Sequence, residues 1–130
     1  MISSYFKNIH LVIGDFSHII LHSTITEKVY SSEKGLIGGR LSFIDESILY
    51  FAEVKGIKTI SKIKYRYHYQ KRDEEIIFRY DNSKHHPDIK TFPHHKHQTG
   101  KILPSEEPDL EMILKEIQEI IFSPRSTQKP

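Results

Sequence analysis

The chain has 130 residues, of which 37% are apolar and 28% charged, as in one soluble globular domain. It has no cysteine, so disulfide scaffolds, thiolate zinc sites and cysteine nucleophiles are excluded. Its formal net charge is +2 before its nine histidines are counted, which permits an anionic partner such as RNA without requiring one. No apolar run reaches the length of a membrane span and no signal-peptide pattern opens the chain, so we expect a cytoplasmic protein that does not enter membranes.

Hydrophobic periodicity predicts a helix near each end of the chain. In residues 2–13, Ile2, Phe6 and Ile9 recur at helical spacing and form one apolar face. In residues 108–122, aliphatic side chains form a continuous apolar stripe, and a proline followed by acidic residues suits the start of a helix. Each apolar face needs a partner surface, which a sheet between the helices would supply.

Alternating side chains rich in β-branched and aromatic residues predict five strands, over residues 17–30, 36–44, 48–54, 65–70 and 76–82. The short turns between them are typical of an antiparallel meander. Gly38 and Gly39, inside the second strand, indicate a bulge or a close approach of the backbone. We predict a single α+β domain over residues 1–122, with a five-stranded antiparallel meander and the N- and C-terminal helices packed on one of its faces. A flexible C-terminal tail is predicted over residues 123–130.

The fourth strand separates aromatic from basic side chains. Its three tyrosines fall on one face, and the other face carries Lys62, Lys64, Arg66 and His68. The simplest interpretation is a half-buried sheet with a solvated basic face. A sharper interpretation keeps this geometry and uses the basic row as a surface for anions.

Residues 83–104 show no periodicity and contain three prolines, which predicts a long loop. Five of the nine histidines lie in this segment: His85, His86, His94, His95 and His97. Ordered loops of this length are usually functional or mobile. The high density of histidine favours a functional loop over a mobile one.

One chemistry for this segment is metal-independent cleavage of RNA. RNA supplies its own nucleophile, so the enzyme needs a base, an acid and cations for the developing charge. We assign the acid and base to His86 and His95, and the other candidates for catalysis are His68, His94 and His97. Candidates for binding substrate and phosphate are Arg66, Arg79, Tyr80, Lys84 and Lys96, and those for orienting the histidines are Asp81 and Asn82.

Two alternatives remain open. In the first, histidines from the two pairs hold a divalent metal together with Asp81, the preferred set being His85, His94 and His97. No spacing here matches a known zinc signature, so a cofactor is not favoured. In the second, the segment is a non-enzymatic loop that binds nucleic acid or a protein partner.

The sequence resembles the TumE-type family, the toxin components of type II toxin–antitoxin pairs. The resemblance is carried by the strings Tyr65-Arg66-Tyr67-His68-Tyr69-Gln70, Phe78-Arg79-Tyr80-Asp81-Asn82, His85-His86-Pro87, Phe92-Pro93-His94-His95-Lys96-His97 and Glu107-Pro108-Asp109-Leu110. It implies a small toxin that a cognate antitoxin binds and silences, and whose target is translation through RNA. The nuclease interpretation itself rests on the histidine, arginine and tyrosine residues.

Overall fold

The computed structural model describes residues 1–123, so all but the first residue of the predicted tail lies outside the described residues. Two helices flank seven strands: α1 (Ile2–Asp15), β1 (Ile20–Ser31), β2 (Lys34–Phe43), β3 (Ile48–Gly56), β4 (Lys64–Gln70), β5 (Ile76–Asp81), β6 (His95–Gln98), β7 (Lys101–Pro104) and α2 (Leu110–Phe122). Neither helix has the length and the apolar composition needed to cross a bilayer.

The strands form one antiparallel sheet in which each strand pairs with the next one along the chain. The predicted α+β class and antiparallel meander are therefore confirmed. Apolar side chains of α1 and α2, such as Ile9 and Ile113, pack with the same face of the sheet into one core that includes Tyr67 and Phe78. Because side chains alternate along a strand, the opposite face carries the other residues of each strand, both polar and apolar.

The predicted number of strands is wrong, because β6 and β7 form a hairpin inside the segment expected to be loop. Thr99 and Gly100 close it with positive φ angles of 48° and 75°, which is the conformation of a tight two-residue hairpin turn. The residues of β6 are histidine, lysine and glutamine, so the strand has none of the hydrophobic alternation by which strands are predicted. It forms because β5 offers it a free edge.

The fourth strand has the two faces that the sequence predicts. Its three tyrosines are buried beneath the helices, whereas Lys64 and Arg66 are exposed on the other face. The prediction for Lys62 is wrong, since this residue precedes β4 and is only 7% exposed. Its Nζ donates to Glu107 Oε2 at 3.0 Å and to the carbonyl of Pro108 at 2.7 Å, just before α2.

The paired glycines in β2 lie in a regular part of the sheet. Gly38 and Gly39 keep an uninterrupted register with both β1 and β3, so the predicted bulge is wrong. The close approach is real: a Cβ built on Gly39 would lie 2.0 Å from the carbonyl oxygen of Thr24 in β1. Glycine is required there because the neighbouring backbone occupies the space of a side chain.

Replacing Gly39 by alanine should lower the free energy of unfolding by about 1–3 kcal/mol, the usual cost of overpacking a well-packed interior. Gly14→Ala in α1 is the matched control, because an added Cβ meets no atom within 4 Å there. Since alanine favours the helix, this control should be neutral or stabilising by up to about 1 kcal/mol. Urea denaturation followed by circular dichroism measures both changes. A Gly39→Ala variant as stable as the wild type would contradict the prediction.

Candidate functional site

The carboxylate of Asp81, at the end of β5, is the centre of a polar cluster and is only 4% exposed. The backbone N–H of Ser83 donates to Oδ1 at 2.9 Å, and Arg79 Nε donates to Oδ2 at 3.1 Å. Two imidazole nitrogens face the same carboxylate. His95 Nε2 lies 3.0 Å from Oδ1, and His97 Nε2 lies 3.7 Å from Oδ2. Four groups thus converge on one buried anion.

The pairing of β5 with β6 creates this arrangement. Asp81 lies directly opposite His95, and Arg79 lies directly opposite His97. Residues that are opposite, or two apart on one strand, share a face of the sheet. All four side chains therefore project from the face that the helices leave uncovered.

A third imidazole comes from the segment between β5 and β6. The ring centroid of His86 lies 5.0 Å from that of His95 and 5.8 Å from that of His97, and the latter two rings are 4.8 Å apart. One nitrogen from each ring can be chosen so that all three lie within 4.8 Å of one another. We call His86, His95 and His97 the histidine cluster.

His95 is the most constrained member of the histidine cluster. It is only 1% exposed, and its Nδ1 lies 2.9 Å from the carbonyl oxygen of Pro93. Because a carbonyl only accepts, Nδ1 carries a hydrogen and donates it. Sequence analysis treated His95 as a loop residue, and this is wrong, since it begins β6 and is packed inside the cluster.

The electrostatics of the site keep Asp81 charged. Burial by itself raises the pKa of Asp81, but the hydrogen bonds from Ser83 and the nearby His95 and Arg79 outweigh it and hold the pKa below its usual value. Burial also lowers the pKa of His97; Asp81 opposes this shift, and the neighbouring His95, Arg79 and His86 add to it. At neutral pH the site therefore combines an ionised carboxylate with an uncharged imidazole at His97.

Two residues assigned to substrate binding lie on the other face of the sheet. Lys96 Nζ forms an ion pair with Glu116 Oε2 of α2 at 2.8 Å, and the hydroxyl of Tyr80 donates to Oε1 of the same glutamate at 2.6 Å. Burial raises the pKa of Tyr80, so the hydroxyl keeps its proton. Both side chains attach β5 and β6 to α2 and are not brought to the histidine cluster.

The remaining residues of the histidine segment are also separated from the cluster. His94 stacks on Tyr65 with ring centroids 5.8 Å apart, and its Nδ1 is joined to the tyrosine hydroxyl by a hydrogen bond of 2.9 Å. Lys84 and His85 are exposed. The alternative metal set of His85, His94 and His97 is thus not brought together, whereas His86, His95 and His97 are.

Asn82, predicted to orient a histidine, continues the edge of β5 instead. Its Oδ1 accepts from the backbone N–H of Tyr65 at 3.0 Å, and its Nδ2 donates to the carbonyl of Ile63 at 3.2 Å. The side chain thereby takes the place of backbone pairing where β5 leaves β4. It supports the turn that leads from Asp81 towards His86.

A groove of about 510 Å³ on the uncovered face is bordered by Asp81, the carboxylate that faces two histidines of the cluster. Its polar lining includes Arg66, Arg79, Asp81 and His85, and its apolar lining comes from Leu36, Ala52 and Val54 of β2 and β3. A larger groove of about 670 Å³ lies beside the β4–β5 turn and α2, and no histidine lines it. The smaller groove is therefore the one associated with the candidate chemistry.

His68 lies on the same face, two strands away from β6. It is half-buried beside Tyr50, and its Nε2 is 3.1 Å from Gln70 Oε1. Burial lowers the pKa of His68, the hydrogen bond with Gln70 opposes this, and the charges of Arg79 and Arg66 lower it further. It belongs to the basic surface rather than to the histidine cluster.

Sequence reasoning missed three parts of the site: the Pro93 carbonyl, the Ser83 hydrogen bond and the apolar floor of the groove. The carbonyl of Pro93 holds His95, and the spacing Asp-x-Ser, which is typical of a side chain bonded to the backbone two residues on, was available as a signal for the Ser83 bond. The apolar floor from β2 and β3 had no local signal, because only the strand register brings it to the groove.

Asp81→Asn should lower the pKa of His97 further, because the carboxylate charge is the neighbour that raises it. The exposed loop residue Asp88 provides the control, and Asp88→Asn should leave this pKa unchanged. Titration of the His97 ring by NMR measures the shift. An unchanged or higher pKa in Asp81→Asn would show that the carboxylate does not act on His97.

Comparison with known proteins places the chain in a family. The family model described as Toxin TumE matches residues 9–121, a span that contains β1 to β7, nearly all of α2 and every residue of the candidate site. No curated protein and no solved structure matches the chain. The chain belongs to the TumE toxin family, and so to the toxins of toxin–antitoxin systems.

Proposed function

We propose that this protein is a cytoplasmic toxin that cleaves RNA as a small histidine-dependent endoribonuclease and is silenced by a cognate antitoxin. The observation that carries the proposal is the cluster of His86, His95 and His97, in which His95 and His97 face the buried carboxylate of Asp81. These groups adjoin a basic groove on the sheet face that neither helix covers. Membership in a toxin family supports a toxic activity for this protein.

His97 and His86 are the proposed base and acid. Both are half-buried, and the side chain of His97 is 34% exposed, so both rings are accessible to a ligand that extends past Asp81, which lines the groove. The neutral ring of His97 would take the proton of the RNA 2′-hydroxyl as its oxygen attacks phosphorus. His86, protonated, would give a proton to the 5′ oxygen as its bond to phosphorus breaks. The products are a 2′,3′-cyclic phosphate and a 5′-hydroxyl.

His95 and Asp81 would act as positioning residues. His95 is too buried to meet RNA, but its ring contacts both other imidazoles and is held by the carbonyl of Pro93. Asp81 compensates the positive charge that His97 acquires when it accepts a proton. This division leaves the two accessible histidines free for proton transfer.

Arg79 and Arg66 are the proposed phosphate contacts. Arg79 is fixed by Asp81 beside the histidine cluster, where a guanidinium can stabilise the charge that develops on phosphorus. Arg66 is exposed on β4, opposite Asp81, and lines the same groove. Phosphate contacts of this kind bind RNA without reading its sequence.

His97→Ala should reduce the rate of RNA cleavage by about 10²–10⁴-fold, the usual contribution of a general acid or base. His22→Ala is the matched control, because His22 is an exposed histidine on β1 that neither lines the groove nor belongs to the histidine cluster. The measurement uses purified protein without a histidine tag, a labelled single-stranded RNA and chelator. Circular dichroism checks that both variants fold.

Growth arrest on expression should follow the same order, with His97→Ala harmless and His22→Ala as toxic as the wild type. If the wild type binds the RNA without cleaving it, the protein is a non-enzymatic RNA-binding toxin and the enzymatic proposal is wrong. Equal loss of cleavage in His22→Ala would remove the assignment to the histidine cluster.

Arg66→Ala should weaken RNA binding similarly for all sequences and reduce the slope of log K against log salt concentration by about 1. Arg72→Ala is the control, since Arg72 lies in the β4–β5 turn and pairs with Glu46 at 2.8 Å, away from the groove. Fluorescence anisotropy at several salt concentrations gives both slopes. An unchanged slope in Arg66→Ala would exclude the groove as the path of the RNA backbone.

A further inference from the structure

The Nε2 atom of His95 is a buried nitrogen without a suitable partner. No residue in the described part of the chain, residues 1–123, makes a hydrogen bond of acceptable geometry to it. Asp81 Oδ1 is only 3.0 Å away, but the oxygen is not aligned for a hydrogen bond. Buried polar atoms are nearly always satisfied, so an exception inside a cluster of ligating groups requires an explanation.

The hydrogen bond made by Nδ1 of the same ring determines whether Nε2 carries a hydrogen or a lone pair. Because Nδ1 donates to the carbonyl of Pro93, Nε2 of the neutral ring carries a lone pair. That lone pair lies 3.0 Å from a carboxylate oxygen, and the contact is repulsive unless a cation lies near both atoms. A proton on Nε2 would relieve the repulsion by its charge but would still leave the nitrogen without an aligned hydrogen bond.

A bound metal ion would satisfy this geometry. Histidine ligands commonly donate their second ring nitrogen to a backbone carbonyl, as His95 does to Pro93, which fixes the ring and leaves the other nitrogen for the metal. The carboxylate of Asp81 supplies the negative charge next to the ion. Its Oδ1 lies 3.0 Å from His95 Nε2, so the negative charge would be beside an ion held by that nitrogen.

Two further imidazole ligands lie nearby. His97 lies two residues from His95 on the same face of β6, and His86 reaches both rings from the preceding segment. The three nitrogens lie within 4.8 Å of one another. In a tetrahedral zinc site the nitrogens would be roughly 3.3 Å apart, so binding would draw the three rings together by up to about 1.5 Å.

We propose that His86, His95 and His97 bind one transition-metal ion of the zinc class, with Asp81 as its charge partner. Imidazole nitrogens are typical ligands of zinc and its neighbours in the periodic table, and three protein ligands leave a position for water or a substrate oxygen. The support for this metal site is the geometry of these four residues, and it does not depend on RNA cleavage.

Metal binding would regulate the proposed activity through the same atoms. A lone pair that coordinates an ion cannot accept a proton, so Zn²⁺ should inhibit cleavage by His97 and His86. This expected inhibition, unlike the metal site itself, rests on the proposed function. Activation by stoichiometric Zn²⁺ would keep the metal site and overturn the metal-independent route of cleavage.

Isothermal titration of ZnCl₂ into untagged full-length protein tests the site. We expect one ion per chain and a higher melting temperature with Zn²⁺, because the ion binds the folded state. His86→Ala and His97→Ala should each weaken binding by at least about 10-fold. His85→Ala is the control and should bind as the wild type does. His95→Ala is unsuitable because the side chain is buried and its loss can disturb folding.

Three results would overturn the inference: no saturable binding by the wild type, wild-type affinity in both His86→Ala and His97→Ala, or an equal loss of affinity in His85→Ala. The last two would place any bound ion on surface histidines. Binding with the expected variant pattern and no cleavage of RNA would support the metal site and count against the nuclease, so the two proposals fail separately.

Discussion

The candidate site depends on the buried carboxylate of Asp81. It holds Arg79 and the N–H of Ser83 by hydrogen bonds and faces the imidazoles of His95 and His97. A buried carboxylate is stable only when charges and donors surround it, and here those groups are the ones that chemistry on a phosphodiester would use. Removing this one anion would leave the guanidinium and the imidazoles without the group that sets their positions.

One face of the sheet packs against the helices, and the other carries the candidate site. The face beneath the helices is filled by aromatic and aliphatic side chains, and there Glu116 of α2 accepts from both Tyr80 and Lys96. These contacts hold β5 and the short polar strand β6 against the helix from behind. On the other face the same two strands present Asp81 and His97. The residues that anchor the strands are thus one position away from the residues that form the site.

His95 links the two proposals made here. Its ring is fixed by the carbonyl of Pro93, so its free nitrogen faces Asp81 and the other two imidazoles. Such a nitrogen can support a neighbouring acid and base, or it can coordinate an ion. The two uses exclude one another at a given moment, because each needs the same lone pairs.

The sequence alone determined the two helices, the first five strands, the two faces of β4 and the family, since each depends on local periodicity or on short residue strings. It could not select among His85, His86, His94, His95 and His97, nor reveal β6 and β7. Successive residues of a strand point to opposite faces, so His94 and Lys96 are separated from His95 and His97 only once β6 pairs with β5. That pairing is non-local and polar. It leaves no hydrophobic pattern in the sequence, and only the tertiary structure could decide it.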